Sequence, residues 1–178
     1  MRRAEPRPIT VANRHPRLQP DRRRLIQAIH VLDAHHDALA AKGRSTLGNS
    51  HELSLAFLTD SALAGLHADF LADPTTTDVI TFEGDTALGF AGEVCVSVDT
   101  AAAYAKKHRR DFREELLLYV VHGWLHLAGH DDLQPVKKRA MRRAEARALA
   151  LLRTAGCIPQ FGLTRPRAKR GRRQATLI

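Results

Sequence analysis

Two histidines stand four residues apart in the run Val121-His122-Gly123-Trp124-Leu125-His126-Leu127-Ala128-Gly129-His130-Asp131-Asp132. On a helix, positions i and i+4 share one face, with Cβ atoms roughly 5–6 Å apart. Two imidazoles at that separation can reach one metal ion through bonds of about 2.0–2.1 Å. Gly129 comes three residues later and can end the helix in a left-handed turn. A chain folded back there brings His130, Asp131 or Asp132 to the same ion. Three protein ligands on a tetrahedral ion leave one position for water, the plan of a catalytic zinc site. A single histidine on an apolar helix is more often a hydrogen-bonded core residue. Here, however, the pair lies in a nearly uncharged run, Leu116 to Ala128, where two buried imidazoles without a shared partner are costly.

The rest of the chain must position that helix. Asp111 starts it, and from Leu116 it is apolar nearly all round, which predicts a buried helix. Four strands are expected. Ile9–Asn13 is one. Glu52–Leu58 alternates Leu53, Leu55 and Phe57 against Glu52, Ser54 and Ala56, the pattern of a half-buried strand. Asp78–Phe82 is β-branched, and Glu93–Val98 puts Val94, Val96 and Val98 on one face. Asp21 is an N-cap for a helix from Arg22 to about Ala41, with Leu25, Ile29, Leu32 and Leu39 on one side. His35 and His36 in it are expected at the surface. Thr59-Asp60-Ser61 opens a short helix carrying Leu63, Leu66 and Phe70. Asp99 is expected to cap a helix to about His108. Pro135 suits the first turn of a last helix reaching Thr154, with Gly156 behind it. Loops are expected at Gly43–Asn49, Asp73–Thr77 and Glu83–Gly92. The prediction is an α+β fold with α/β-like layers: a four-stranded mixed sheet, about five helices, and the metal site on a buried central helix.

The chain has 178 residues, 44% of them apolar, enough for one domain with a core. Residues 1–158 are expected to form it, and 159–178 a basic, disordered tail. Lys and Arg number 28 against 19 acids, a net charge of +9. That excess suits a polyanion, nucleic acid above all. Six of the cations fall between Arg165 and Arg173. The last helix carries Lys137, Lys138, Arg139, Arg142, Arg143 and Arg147, either a solvated face or an RNA-facing stripe. Cys95 and Cys157 form no CxxC pattern, which argues against a disulfide framework and a thiolate zinc site. Met1-Arg2-Arg3 leads into no apolar stretch, and Leu116–Val121 is too short to span a bilayer. A cytoplasmic protein without a membrane partner is expected. With two Tyr and one Trp, extensive base stacking is not.

The string His122-Gly123-x-Leu125-His126-Leu127-x-Gly129-x-x-Asp132 resembles the signature of the YbeY family of metal-dependent endoribonucleases of ribosomal RNA maturation. Pro74-x-x-Thr77-Asp78-Val79-Ile80-Thr81-Phe82 is similar to that family's Pro-Thr-Asp-Val-Leu-Ser-Phe strand. Gly92-Glu93-Val94-x-Val96-Ser97 resembles its Gly-Asp-Ile-x-Ile strand. The likeness runs from about Ile9 to Ala155. It implies a zinc-dependent, single-strand-specific endoribonuclease with one ion per chain. The family acts in late 70S ribosome quality control and in maturation of the 3′ end of 16S rRNA. Ribosomal RNA and the small subunit are then the partners, with ribosomal proteins beside them.

Two departures stand out. The commonest family pattern has a third histidine six residues after the second; here that residue is Asp132, a competent zinc ligand. His130 is the rival, but the intervening glycine should break the helical register, so Asp132 is expected as third ligand. The family's arginine ahead of its Pro-Thr-Asp strand corresponds to Leu71, so another cation must stabilise phosphate charge. His67 stands where the family tends to have Asn. The expected site is therefore His122, His126 and Asp132 on the ion, with His122 and Asp131 in catalysis, Asp131 as proton acceptor. Lys106, Lys107, Arg109 and Arg110 would guide the RNA backbone. Position 123 is Gly where zinc proteases of the HExxH type carry their general-base Glu, which counts against peptide hydrolysis. The competing readings are a non-catalytic, metal-stabilised ribosome assembly factor and, further off, an unusual metalloprotease.

Overall fold

The computed structural model describes residues 6–42, 45–47, 51–71 and 77–165. In chain order the elements are β1 (Ile9–Asn13), β2 (Leu18–Pro20), α1 (Arg22–Ala34), α2 (His36–Leu39), β3 (Glu52–Leu58), α3 (Asp60–Leu71), β4 (Val79–Glu83), β5 (Phe90–Ser97), α4 (Val98–His108), α5 (Phe112–Leu127), α6 (Pro135–Thr154) and β6 (Phe161–Leu163). The main sheet has the order β1-β3-β5-β4. β1, β3 and β5 are parallel, and β4 runs antiparallel to β5. The mixed sheet and the helix-on-sheet layers are as the sequence predicts. No helix among the described residues is long and apolar enough to cross a membrane.

One face of the sheet, with Leu53, Leu55, Phe57, Val94 and Val96, shares a single core with α1, α5 and α6. The opposite face is not left to solvent. Ala56, Leu58, Ile80 and Cys95 are buried there with Leu63 of α3. β3 is thus covered on both sides over its second half, because α3 folds back across residues that read as a polar face. Burial pushes the Cys95 thiol up to about 12, which leaves it inert.

The metal-bearing helix is anchored at its centre. Trp124 is fully buried, and its indole N–H donates to Asp33 Oδ1 at 3.1 Å. The other oxygen of Asp33 accepts from Nε of the buried Arg7 at 2.8 Å. Gly123 faces the sheet: a Cβ there would lie 2.3 Å from Val94 Cγ1 and 3.0 Å from Val79 Cγ1. The missing side chain lets α5 close on β4 and β5.

Several boundaries differ from expectation. The first helix breaks at His35, whose backbone leaves helical values (φ −116°, ψ 19°), and restarts as α2 to bury Leu39. His36 is not simply a surface group. Its Nε2 lies 2.9 Å from Ser45 Oγ, and its ring meets Trp124 edge-on. β5 starts at Phe90 rather than Glu93, after a 3-10 turn at Thr86–Leu88 capped by Asp85. Ser97, not Asp99, caps α4. The Asp99 carboxylate is instead engaged by His15, Arg17 and the Asp60 N–H. β2 and β6, three residues each, were too short to show a period. They pair antiparallel and place a strand inside the segment expected to be a disordered tail, so the folded unit runs past residue 158. The rest of that segment (166–178), most of the 43–49 loop and the turn at 73–76 lie outside the described residues.

Candidate metal centre

α5 starts where Asp111 accepts from the Arg113 N–H at 2.7 Å. It ends in two reverse hydrogen bonds: His130 N–H to the Leu125 carbonyl and Gly129 N–H to the His126 carbonyl, both 2.9 Å. Gly129 takes φ +91°, the left-handed conformation this closure requires. The chain reverses there and carries Asp132 back over the last turns of α5.

His122 and His126 meet as the spacing predicts. His122 Nδ1 lies 2.7 Å from Glu145 Oε1, and His126 Nδ1 lies 3.1 Å from the His130 carbonyl. Each acceptor takes the Nδ1 proton and so fixes the tautomer. Both Nε2 atoms are left as lone pairs, and they face each other at 3.0 Å. Two acceptors at that distance repel unless a proton or a cation stands between them. Two nitrogens on one tetrahedral zinc would be roughly 3.3 Å apart. Asp132 closes the group, with Oδ2 at 3.9 Å from His122 Nε2 and Oδ1 at 4.0 Å from His126 Nε2. One ligand atom from each residue lies within 4.8 Å of the others. The donor set and the facing lone pairs fit a divalent transition ion.

The electrostatics divide the two histidines. Burial pulls the His122 pKa down, but the hydrogen bond and charge of Glu145, with Asp78 and Asp132, outweigh it and hold the group above the ordinary histidine value. Burial and the neighbouring His122 push His126 below it. Below the raised value the proton sits on His122, and a metal ion must displace it. Metal affinity should therefore start to fall at a higher pH than for an ordinary histidine, near 6.5, and then drop about tenfold per pH unit. Chelator-competition titrations across pH would show this; a flat profile down to pH 6 would contradict it. Glu145→Gln removes both the orienting acceptor and the charge. It should weaken metal binding about tenfold at neutral pH and move the onset of the fall to lower pH.

The other expected site residues fall in different places. His130 turns away: its Nε2 is 2.7 Å from the Leu39 carbonyl on α2. Asp131 holds Lys137 Nζ at 2.6 Å and the Leu133 N–H at 2.7 Å. The Lys137 bond keeps its carboxyl below the usual range, which makes it a weak base and does not suit the expected role of proton acceptor. Arg109 and Arg110 line a groove of about 440 Å³ with Glu114 and Arg153. Arg110 also contacts Glu115 at 3.6 Å. Lys106 and Lys107 are exposed on α4 and line neither this groove nor the larger cleft. Leu71 ends α3, and its side chain lies outside the described residues.

His122 and Asp132 open on a cleft of about 620 Å³ between α4, α5, α6 and the residues leading into β4, lined also by Asp78, Glu115, Tyr119, Lys138, Arg142 and Glu145 among others. Glu115 and Leu118 line both depressions, so the two adjoin. Sequence reasoning missed Glu145 and Asp78. Glu145 had one signal: it is the only acid between Pro135 and Thr154. Asp78 had none beyond its place before β4. Its carboxylate accepts from its neighbours, Val79 N–H at 3.0 Å and Thr77 Oγ1 at 3.3 Å.

The profile of the family described as Endoribonuclease YbeY matches residues 18–153. Among individual relatives, the Endoribonuclease YbeY of Salinibacter ruber is 33% identical over 150 residues, covering 79% of this chain and 88% of its own. That of Protochlamydia amoebophila is 38% identical over 106 residues, 57% of this chain and 71% of its own. The solution structure of the Thermotoga maritima protein TM1509 is similar in fold, with TM-score 0.52 at 20% identity, covering 84% of this chain and 94% of that one.

Proposed function

The chain belongs to the YbeY family, and from that premise we propose that it is a zinc-dependent endoribonuclease that cuts single-stranded RNA. Its substrate is ribosomal RNA. The finer reading is maturation of the 3′ end of 16S rRNA and late quality control of the 70S ribosome, in the cytoplasm and in contact with the small subunit. The net charge of +9 supports a polyanionic partner of this kind. The observation that carries the reading is the pair of facing Nε2 lone pairs with Asp132 beside them, of which His122 and Asp132 line a cleft.

A divalent ion held by His122, His126 and Asp132 would supply Lewis acidity to a phosphoryl oxygen and lower the pKa of water. The chain's own residues do the rest. Glu145 and the His130 carbonyl hold the two imidazoles in the ligating tautomer. Lys138 and Arg142 stand on the cleft wall one helical turn apart and have no acidic partner among the described residues. They are the cations that meet the RNA phosphate in place of the arginine missing at Leu71. Gly123, pressed on the sheet, leaves no room for a glutamate on the helix and disfavours an HExxH protease.

The test is cleavage of single- and double-stranded RNA by the full chain with added zinc, with chelator, and as His122→Ala. Cutting confined to single strands and lost in the last two conditions is expected. Zinc-raised thermal stability without cleavage in any condition would favour the assembly-factor reading.

A further inference from the structure

α5 is apolar on nearly every side, yet Glu115, Tyr119, His122 and His126 fall at i, i+4, i+7 and i+11, one continuous face. Glu115 stands two turns from His122, about 10 Å along the axis. Both Glu115 and Tyr119 line the cleft, and they are 4% and 6% exposed. The Glu115 carboxylate is held by Arg110, whose Nη1 lies 3.6 Å away, which leaves part of its acceptor capacity free. The Tyr119 hydroxyl has no hydrogen bond among the described residues. His51 Nδ1 is the one side-chain polar atom among them that is both sealed from water and unpartnered, so the oxygens of Glu115 and Tyr119 stay open on the cleft side. The two present acceptor and donor positions to whatever enters the cleft.

The lining also says what that ligand is. Of its four acids, Asp132 belongs to the metal centre and Glu145 to His122, which leaves Asp78 and Glu115 beside two cations, Lys138 and Arg142. The Glu115 end suits a group rich in N–H donors, while an attached phosphate goes to the cations. A carboxylate accepts two parallel N–H bonds side by side. Among the RNA bases, only guanine offers two neighbouring donors, N1–H and the 2-amino group, with an acceptor, O6, next to them. A tyrosine hydroxyl can donate to that O6. We propose that Glu115 and Tyr119 form a guanine-recognition subsite, one nucleotide's reach from the histidine pair. The proposal rests on the RNA reading of the preceding subsection.

The experiment is equilibrium binding of the 5′-monophosphates of guanosine, inosine, adenosine, cytidine and uridine to the zinc-loaded full chain by calorimetry. A bidentate pair should favour guanosine monophosphate about tenfold or more over adenosine, cytidine and uridine monophosphates. Inosine monophosphate, without the 2-amino group, should lose most of that margin. Glu115→Gln should bring all five to within about twofold. Tyr119→Phe, which preserves the ring, should reduce the margin several-fold, and circular dichroism checks that both variants fold. Equal affinities, no binding, or a preference that survives both variants overturns the subsite. Cleavage of an RNA lacking guanine is scored in parallel. Cutting without any base preference in binding sinks the subsite and leaves the nuclease. Guanine preference without cutting does the reverse.

Discussion

His126→Ala is expected to weaken zinc binding by at least about 100-fold and to reduce RNA cleavage to background, since it removes a whole ligand rather than a neighbour of one. The physical basis is the Nε2–Nε2 approach of 3.0 Å. Either lone pair alone is an ordinary acceptor; only the two together call for a shared cation. The same variant has a readout independent of activity. An ion at 100 times its dissociation constant stabilises a fold by about 2.7 kcal/mol. For a chain of this size that raises the melting temperature by roughly 5–10 °C. Zinc should produce that rise in the native chain and not in His126→Ala. A full rise in the variant would mean that zinc sits elsewhere, and the proposed centre would be wrong.

Gly123→Ala should lower stability by about 2–3 kcal/mol, although alanine is the better helix former by about 1 kcal/mol. The new methyl would lie 2.3 Å from Val94 Cγ1, 3.0 Å from Val79 Cγ1 and 3.3 Å from Thr81 Cγ2. Those atoms belong to two hydrogen-bonded strands, β4 and β5, so the helix must lift or the sheet must bend. Denaturant midpoints would measure the loss. A variant as stable as the native chain would show that the helix and sheet are less tightly seated than described. Because the helix carries both histidines, lifting it should also weaken zinc binding.

The histidine pair was legible because the 3.6-residue period places i and i+4 together whatever surrounds the helix. The turn after it was legible as well, since Gly129 can take a positive φ that other residues avoid. Which residue closes the group was harder to read. His130 and Asp132 differ only in where the reversed chain points them, and the Leu39 carbonyl that draws His130 away lies 91 residues distant in sequence. Glu145 shows the same limit. It reaches His122 from a helix 23 residues on, and no local pattern encodes how α6 lies against α5. The second face of β3 misled for a related reason: Ala56 and Leu58 count as core only once α3 is folded over them. Periodicity reports what an element can bury, and the partner that does the burying comes from elsewhere in the chain.

The reversal at the end of α5 is closed by two main-chain bonds, from Gly129 and His130, and braced by the His126 imidazole on the His130 carbonyl, none of them using the Asp132 side chain. The loop's length, rather than its chemistry, aims residue 132. Exchange of Asp132 for another ligating side chain therefore leaves its direction intact. Adding or deleting one residue between Gly129 and Asp132 would swing the position out of reach even with every ligand retained. Engineering of this centre has freedom in the identity of its last ligand and almost none in the count of residues leading to it.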